Sequence, residues 1–404
     1  MMQFEQYNKF GYVMPANELL QQRVLKAFEI ASKPAPNHAA QSSLKDIDLE
    51  AWQYIGDPLA EALIFELRAH NMMSRDIYGA ARLLQAEGNL AANNFFADVE
   101  FVPEWADFEQ MRLGAKMGLR NPIGLFFGLH GALPYTYTYP NVANVMAFTG
   151  RLDKKGDFPR RFWETATGFI GAFDVDGMKP LGKSWQVWVR IRLMHTMVRM
   201  GILKSGRWKS DCTTPIDQLT TAGGVYVFGQ YRVNIVKALG GKVSDAEADS
   251  YDLMWRWITR VLGVVPELLG QTNEEQQALD KLIHEYSYTV NTGSVELTQA
   301  MINGLTEIPH FLLSRDLHAA IVNYLLSPQY TLPAGKNLAH DLQVNSSVWA
   351  KILVQPIIGS LKISSKATQL PIIRNVIERY GQATLEAFIH KQLGENKADY
   401  RTKN

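Results

Sequence analysis

Cysteine is all but missing: Cys212 stands alone in 404 residues, which excludes an internal disulfide and any zinc or iron–sulfur site built on several thiolates. A surplus of charge is missing as well. Forty-one basic residues face 40 acidic ones, a formal net charge of +1, and no block of like charges occurs, so the basic face that a nucleic acid demands is not in the composition. The opening stretch MMQFEQYNKFGYVMPANELL has no basic segment followed by an apolar one and no twin arginine, so secretion is not expected, and with the lone cysteine a reducing cytoplasm is. From Asn121 to Gly150 no Lys, Arg, Asp or Glu appears, but Pro122, Pro134 and Pro140 interrupt the run. No window of about eighteen residues is continuously apolar, as a membrane span requires; the run reads as a buried core helix with an irregular link.

Period-two alternation is also rare. What is present is apolar spacing of three and four, in GDPLAEALIFELRAH, DIYGAARLLQAEG, AEADSYDLMWRWITRVLGV and LPIIRNVIERYGQATLEAFIHKQL, which predicts an all-α fold. Asp57 and Ser244 stand where N-caps belong, and Gly201, Gly263 and Gly381 near stops or bends. Lys33 to Asp46, KPAPNHAAQSSLKD, has linker composition. The expected organisation is an N-terminal extension and linker over residues 1–46, one large helical domain over 47–395, and a solvated tail over 396–404.

Gly177 to Arg199, GMKPLGKSWQVWVRIRLMHTMVR, supports two readings. Its first eight residues fit the phosphate-loop pattern G-x-x-x-x-G-K-[ST]. Pro180 removes a backbone donor from that cradle, however, and no alternation of strands and helices follows; Ser184 then caps a helix starting at Trp185. On that helix Trp185, Trp188, Arg192, His195 and Arg199 share one face, with Val187, Ile191, Met194 and Val198 opposite. Buried arginines and a histidine each need a partner. Haem would supply iron for His195 and propionates for Arg192 and Arg199; nearby carboxylates and a carbonyl would serve equally.

The pieces IGDPLAEAL (Ile55 to Leu63), VPEWADFEQMRLG (Val102 to Gly114), TGRL (Thr149 to Leu152), RFWET (Arg161 to Thr165), VRIRLMHTMVR (Val189 to Arg199) and MWRWITRVLGV (Met254 to Val264) occur in that order. In this the chain resembles the rubber-oxygenase catalytic family, which includes the latex-clearing proteins and the endoplasmic-reticulum-bound oxygenases of mycophenolic-acid synthesis. The resemblance implies a globin-like helical core and a non-covalent b-type haem with His195 as proximal iron ligand. It also implies a distal R-x-x-x-T element at Arg161 and Thr165, and it accounts for GKSW as the lead into the histidine helix. Two positions depart from the family. Its glutamate sixteen residues before the arginine falls on Val145, and Glu164 replaces the lysine before the threonine. Glu164 is then the nearest carboxylate for a base, unless it pairs with Arg160 or Lys155.

The function implied is a haem-dependent oxygenase that uses O2 on an unsaturated, isoprenoid-like or lipid-like substrate. A haem sensor or carrier without turnover, and a cofactor-free helical scaffold, are the alternatives. Other histidines carry weaker signals. His284-Glu285 lacks the second histidine of H-E-x-x-H, and Glu307 to His310 is a single E-x-x-H interrupted by Pro309. His130, in LFFGLHGALP, is the other histidine in strongly apolar surroundings and the second choice for an iron or distal residue.

Overall fold

Short polar caps open helix after helix: Asn17, Asp57, Asp76, Asn89 and Asp107 each accept a first-turn backbone N–H, satisfying donors that have no partner inside the helix. The computed structural model describes residues 2–38, 44–150, 158–208, 212–308 and 313–393. Among them the helices are α1 (Met2–Phe10), α2 (Glu18–Ala31), α3 (Leu49–Trp52), α4 (Pro58–Ala69), α5 (Ile77–Ala86), α6 (Leu90–Val99), α7 (Phe108–Arg120), α8 (Pro122–Thr136), α9 (Pro140–Phe148), α10 (Phe158–Gly171) and α11 (Lys183–Lys204). The order continues with α12 (Gln218–Ala222), α13 (Gly224–Phe228), α14 (Gln230–Ala238), α15 (Asp245–Val261), α16 (Asn273–Ser287), α17 (Thr292–Leu305), α18 (Arg315–Leu325), α19 (Leu338–Asp341), α20 (Val348–Ala367) and α21 (Pro371–Leu393). No strand occurs among the described residues; the fold is all-α. Arg151, Leu152, Lys155, Pro309, His310 and the tail expected at 396–404 lie outside the described residues.

The uncharged run forms α8 and α9, with Pro122 and Pro140 in their first turns, where a missing N–H costs nothing. Among the described residues α7 and α15 share the most extensive helix contact, and they cross closely. Gly114 makes it possible: a Cβ there would lie 2.5 Å from the backbone nitrogen of Tyr251, and the Gly114 N–H instead donates to Ser250 Oγ at 2.6 Å.

Some expectations need correction. The N-terminal segment is no appendage, because Tyr7, Val24 and Phe28 are fully buried in the core and the Ala35 N–H, inside the expected linker, donates to Asp98. Gly201 and Gly381 lie inside α11 and α21; helix packing outweighs the roughly 1 kcal/mol that a helical glycine costs. α11 starts at Lys183, capped by Gly182 rather than Ser184. The Trp185 N–H closes back onto the Gly177 carbonyl at 2.8 Å, so the turn is folded on itself and follows a helix, not the strand that a phosphate loop needs.

His284 is structural. It is buried, with Tyr139 Oη 2.6 Å and Tyr135 Oη 3.1 Å from Nδ1, and burial pushes its pKa down to about 3. The ring is neutral in the folded chain, whereas the unfolded chain binds its proton below about pH 6.5. Its contribution is therefore complete above that pH and lost as the pH falls. We expect the stability advantage of the wild type over His284→Gln, measured by urea unfolding, to shrink by about 1.4 kcal/mol per pH unit below pH 6.5. A constant difference from pH 7 to 4.5 would contradict the assignment.

Candidate functional site

Two arginines about two turns of helix apart anchor α11 to α4 and α6. Arg192 forks onto Asp57, the cap of α4, with Nε to Oδ2 at 2.7 Å and Nη2 to Oδ1 at 3.0 Å, while its Nη1 donates to Asp98 Oδ2 on α6 at 2.7 Å. Arg260 of α15 reaches the other oxygen of Asp98 at 2.5 Å. Arg199 donates through Nε to Glu61 of α4 at 2.5 Å and through Nη1 to the Ile216 carbonyl at 2.9 Å, and Tyr12 Oη donates to the second Glu61 oxygen. Three guanidinium groups and three carboxylates thus form a charge-balanced set that is buried throughout.

Their ionisation follows from this geometry. Burial alone would raise the Asp98 pKa, but Arg260 and Arg192 outweigh it and hold the carboxyl down at about 2. Glu61 has one arginine and complete burial, and its pKa is raised. Two glycines provide the room. A Cβ on Gly56 would lie 2.4 Å from Arg199 Nε, and one on Gly263, at φ +96, would lie 2.5 Å from Arg192 Nε and 2.6 Å from Asp57 Oδ2. Ile216 is held at φ +53, which is unfavourable for a β-branched residue.

The donors expected to take propionates are therefore committed to protein carboxylates. Arg192 and Arg199, expected as cofactor-binding residues, thus donate to Asp57, Asp98 and Glu61 in this structure.

His195 differs from both. It is half-buried and lies on the helical wheel at the border between the buried arginine face and the half-buried stripe of Val187, Ile191, Met194 and Val198. On the arginine side a cavity of about 10 Å³ is lined by Gly56, Arg192, His195, Thr196 and Gln218 among others. That is room for about one water molecule, and the lining is of mixed polarity.

The apolar side faces α10. The two helices run antiparallel and touch at one end, where a Cβ on Gly171 would lie 3.5 Å from Ser184 Oγ and one on Gly168 3.6 Å from the Trp188 ring and 3.8 Å from Ile191 Cδ1. The same register carries Thr165 to the level of the Arg192–His195 turn. There Thr165 is exposed and Ile191, Met194 and His195 are half-buried, so this stretch of α11 is only partly covered and an imidazole borders its apolar stripe. A partly covered apolar stripe bordered by one imidazole suits a flat macrocycle bound through a histidine nitrogen. His195, Ile191, Met194 and Val198 fit haem in this respect; the two arginines do not.

Arg161 lies one turn before Thr165, but its side chain is outside the described atoms. Glu164 is paired with Arg160 Nε at 3.0 Å. Val145 is buried on α9, and one turn earlier Asn141 donates to Asp217, a buried carboxyl that also accepts from the Thr220 N–H and hydroxyl. Burial pushes Asp217 up to about 7. Counting along the sequence could not bring this acid to α9. His130 is fully buried beside His318 with their rings nearly parallel and 6.2 Å apart, and its pKa falls to about 3 through burial and that neighbour. It also lies 6.2 Å from the Phe162 ring, so it sits behind α10.

Residues 115–347 match the family described as ER-bound oxygenase mpaB/B'/rubber oxygenase, catalytic domain, and the chain belongs to that family. A rubber oxygenase of Streptomyces sp. (strain K30) is 24% identical over 237 residues, which cover 57% of this chain and 57% of that protein; the match thus spans little more than half of the relative. A structure of latex clearing protein LCP in the closed state superposes with a TM-score of 0.59 at 19% identity, over 90% of this chain and 94% of that one, which shows a shared fold. Among the described residues no group of three or more His, Cys, Asp or Glu could hold a metal ion.

The ionic set makes a direct prediction. Asp98→Asn leaves Arg192 and Arg260 short of charge in the interior and is expected to cost about 3–5 kcal/mol in denaturant unfolding. Because Asp98 is held at about 2, this contribution is present above the unfolded pKa of about 3.9 and fades as the pH falls through 2. A loss below about 1 kcal/mol near neutral pH would show that the arginines find other partners.

Proposed function

We propose that this chain is a haem b-dependent oxygenase that uses O2 on an unsaturated, apolar substrate of isoprenoid or lipid type. Membership of the rubber-oxygenase family supports the oxygenase class. The observation that carries the reading furthest is the half-buried His195 at the edge of the apolar stripe of α11, with Thr165 brought to the same level by the register of α10 against α11. Haem bound there would supply O2 activation and electron transfer.

The residues have separate tasks in this reading. His195 would hold the iron of a bound haem through an imidazole nitrogen. Ile191, Met194 and Val198 would exclude water from that face, and the buried ionic set fixes the rotation of α11. Thr165 would offer a hydroxyl donor, and Arg161 a positive charge, where negative charge develops on O2. Glu164 is the proton acceptor, which requires its carboxylate to leave Arg160. The single cysteine supports a reducing, cytoplasmic setting; among the described residues no helix is long and apolar enough to cross a membrane. The apolar Val145 favours a second reading, a haem sensor or carrier without turnover.

An ultraviolet–visible spectrum of the protein from haem-supplemented cells tests both. We expect a haem band that His195→Ala abolishes or shifts strongly; a colourless protein, unchanged on reconstitution, would dismiss both readings. Thr165→Ala and Arg161→Ala should keep the band and lower turnover on unsaturated isoprenoids by about tenfold to a thousandfold, or ~1.4–4 kcal/mol. Bound haem without turnover of any such substrate would favour the sensor. Glu164→Gln should lower turnover with the spectrum intact; wild-type rates would remove Glu164 from the mechanism.

A further inference from the structure

Large apolar side chains in water are concentrated at one end of this chain. Val348, Trp349, Ile352 and Leu353 on α20 are 53–75% exposed, Ile363 is 72% exposed, and Ile372 and Val376 on α21 are 80% and 53% exposed. Isolated exposed leucines need no explanation, but a contiguous apolar surface on otherwise well-packed helices does.

α20 has two apolar faces. Ala350, Val354 and Ile358 are buried and pack the helix onto the body, chiefly against α18. At 100° per residue, Trp349, Ile352, Leu353, Pro356 and Ile363 fall in a sector about 100° wide on nearly the opposite side. They run along four turns of helix, and among the described residues none covers them. Packing of the domain therefore does not account for these residues.

The charge on α20 itself is of one sign, with Asp316 of α18 the carboxylate at its N-terminus. No Asp or Glu occurs between Asp341 and Glu378, whereas α20 carries Lys351, Lys362 and Lys366. All three are exposed, and none makes an ion pair among the described residues. On the wheel they lie along one flank, between the exposed apolar sector and the buried stripe. Long ammonium side chains there can extend past an apolar surface to anionic headgroups, while Trp349 supplies the amphipathic ring that favours the headgroup level. The matched family region stops at residue 347, just before α20, so this surface is carried on helices outside it.

We propose that α20 and the start of α21 form a docking surface for an anionic lipid bilayer, on which the protein lies peripherally without spanning it. A second copy of the chain fits less well, because a symmetric contact would set the lysine flanks of two copies against each other. A cytoplasmic leaflet carries the negative surface potential that these lysines match.

The surface is physically joined to the candidate site. α21 packs on α10: the Phe388 ring meets Trp163 edge-on with centroids 5.5 Å apart, and Gln382 Nε2 donates to the Ile170 carbonyl at 3.0 Å. The helix bearing Thr165 is thus backed by the helix that begins at the bilayer. This connection gives the docking a use in the proposed function, although the docking itself rests on the exposed face and its charge.

Flotation of the full chain with phosphatidylcholine vesicles, with and without phosphatidylglycerol, tests the proposal. We expect flotation with the anionic vesicles, at least about tenfold weaker binding to neutral ones, and loss of most binding in high salt. Trp349→Ser combined with Ile352→Ser, and separately Lys351→Gln, Lys362→Gln and Lys366→Gln together, should each weaken binding about tenfold or more. These side chains are exposed, so the variants should keep the wild-type melting temperature, and the haem spectrum gives a readout independent of docking. No flotation, or flotation that neither set of substitutions changes, overturns the proposal. A dimer in sedimentation that Trp349→Ser and Ile352→Ser dissolve, without flotation of the wild type, would assign the face to a second copy.

Discussion

The arginine–carboxylate set around α11 is the constraint on which the rest of the structure depends. Six ionised groups in an interior would be prohibitive if any one were left over. Here Arg192, Arg199 and Arg260 balance Asp57, Glu61 and Asp98, and the forked bonds fix direction as well as charge. Such a set is weak evidence for stability relative to a well-packed apolar core, but it is strict about geometry. Helices α4, α6, α11 and α15 must meet at one relative rotation or strand a charge. That requirement orients α11 about its own axis, and so aims His195 toward α10.

The same helix therefore has two chemical duties. Its buried face holds charges in bidentate contacts where Gly56 and Gly263 have left space. Its other face is apolar and only partly covered. His195 sits where the two meet, so its ring is steadied by the first while it looks onto the second. An imidazole in the middle of the ionic set would compete with the arginines for carboxylates; one in the middle of the apolar stripe would have nothing to fix its helix.

Much of this was legible in the sequence. The all-α fold followed from apolar spacing, the Asp57 and Ser244 caps from residue type, and the family from six short pieces. Two of those pieces, IGDPLAEAL and MWRWITRVLGV, contain Asp57, Glu61 and Arg260, half of the ionic set, with the glycines Gly56 and Gly263 that make room for it. Their partnership was not legible, because periodicity shows that an arginine is buried but not which acid reaches it from a distant segment. Asp98 lies in none of the pieces, and Asp217 comes to α9 through a turn far along the chain. The N-terminal segment was misjudged for a related reason: the composition of Lys33 to Asp46 is that of a linker, yet one backbone N–H within it completes the coordination of Asp98. Glycine misled twice, at Gly201 and Gly381, where tertiary packing overrode local propensity.

The antiparallel contact between α10 and α11 has a mechanical consequence. With their glycines in contact at one end and their side chains apart at the other, the helices form a pair of tweezers whose fulcrum is the Gly171–Ser184 contact. Thr165 lies about 9 Å along the helix from Gly171 and Arg161 about 15 Å, so a tilt of about 10° moves the first by roughly 1.5 Å and the second by roughly 2.6 Å. The lever is short near the hydroxyl and longer near the guanidinium-bearing turn. A small rocking of α10, driven from the helix stacked behind it, would move the Arg161 turn nearly twice as far as the Thr165 turn.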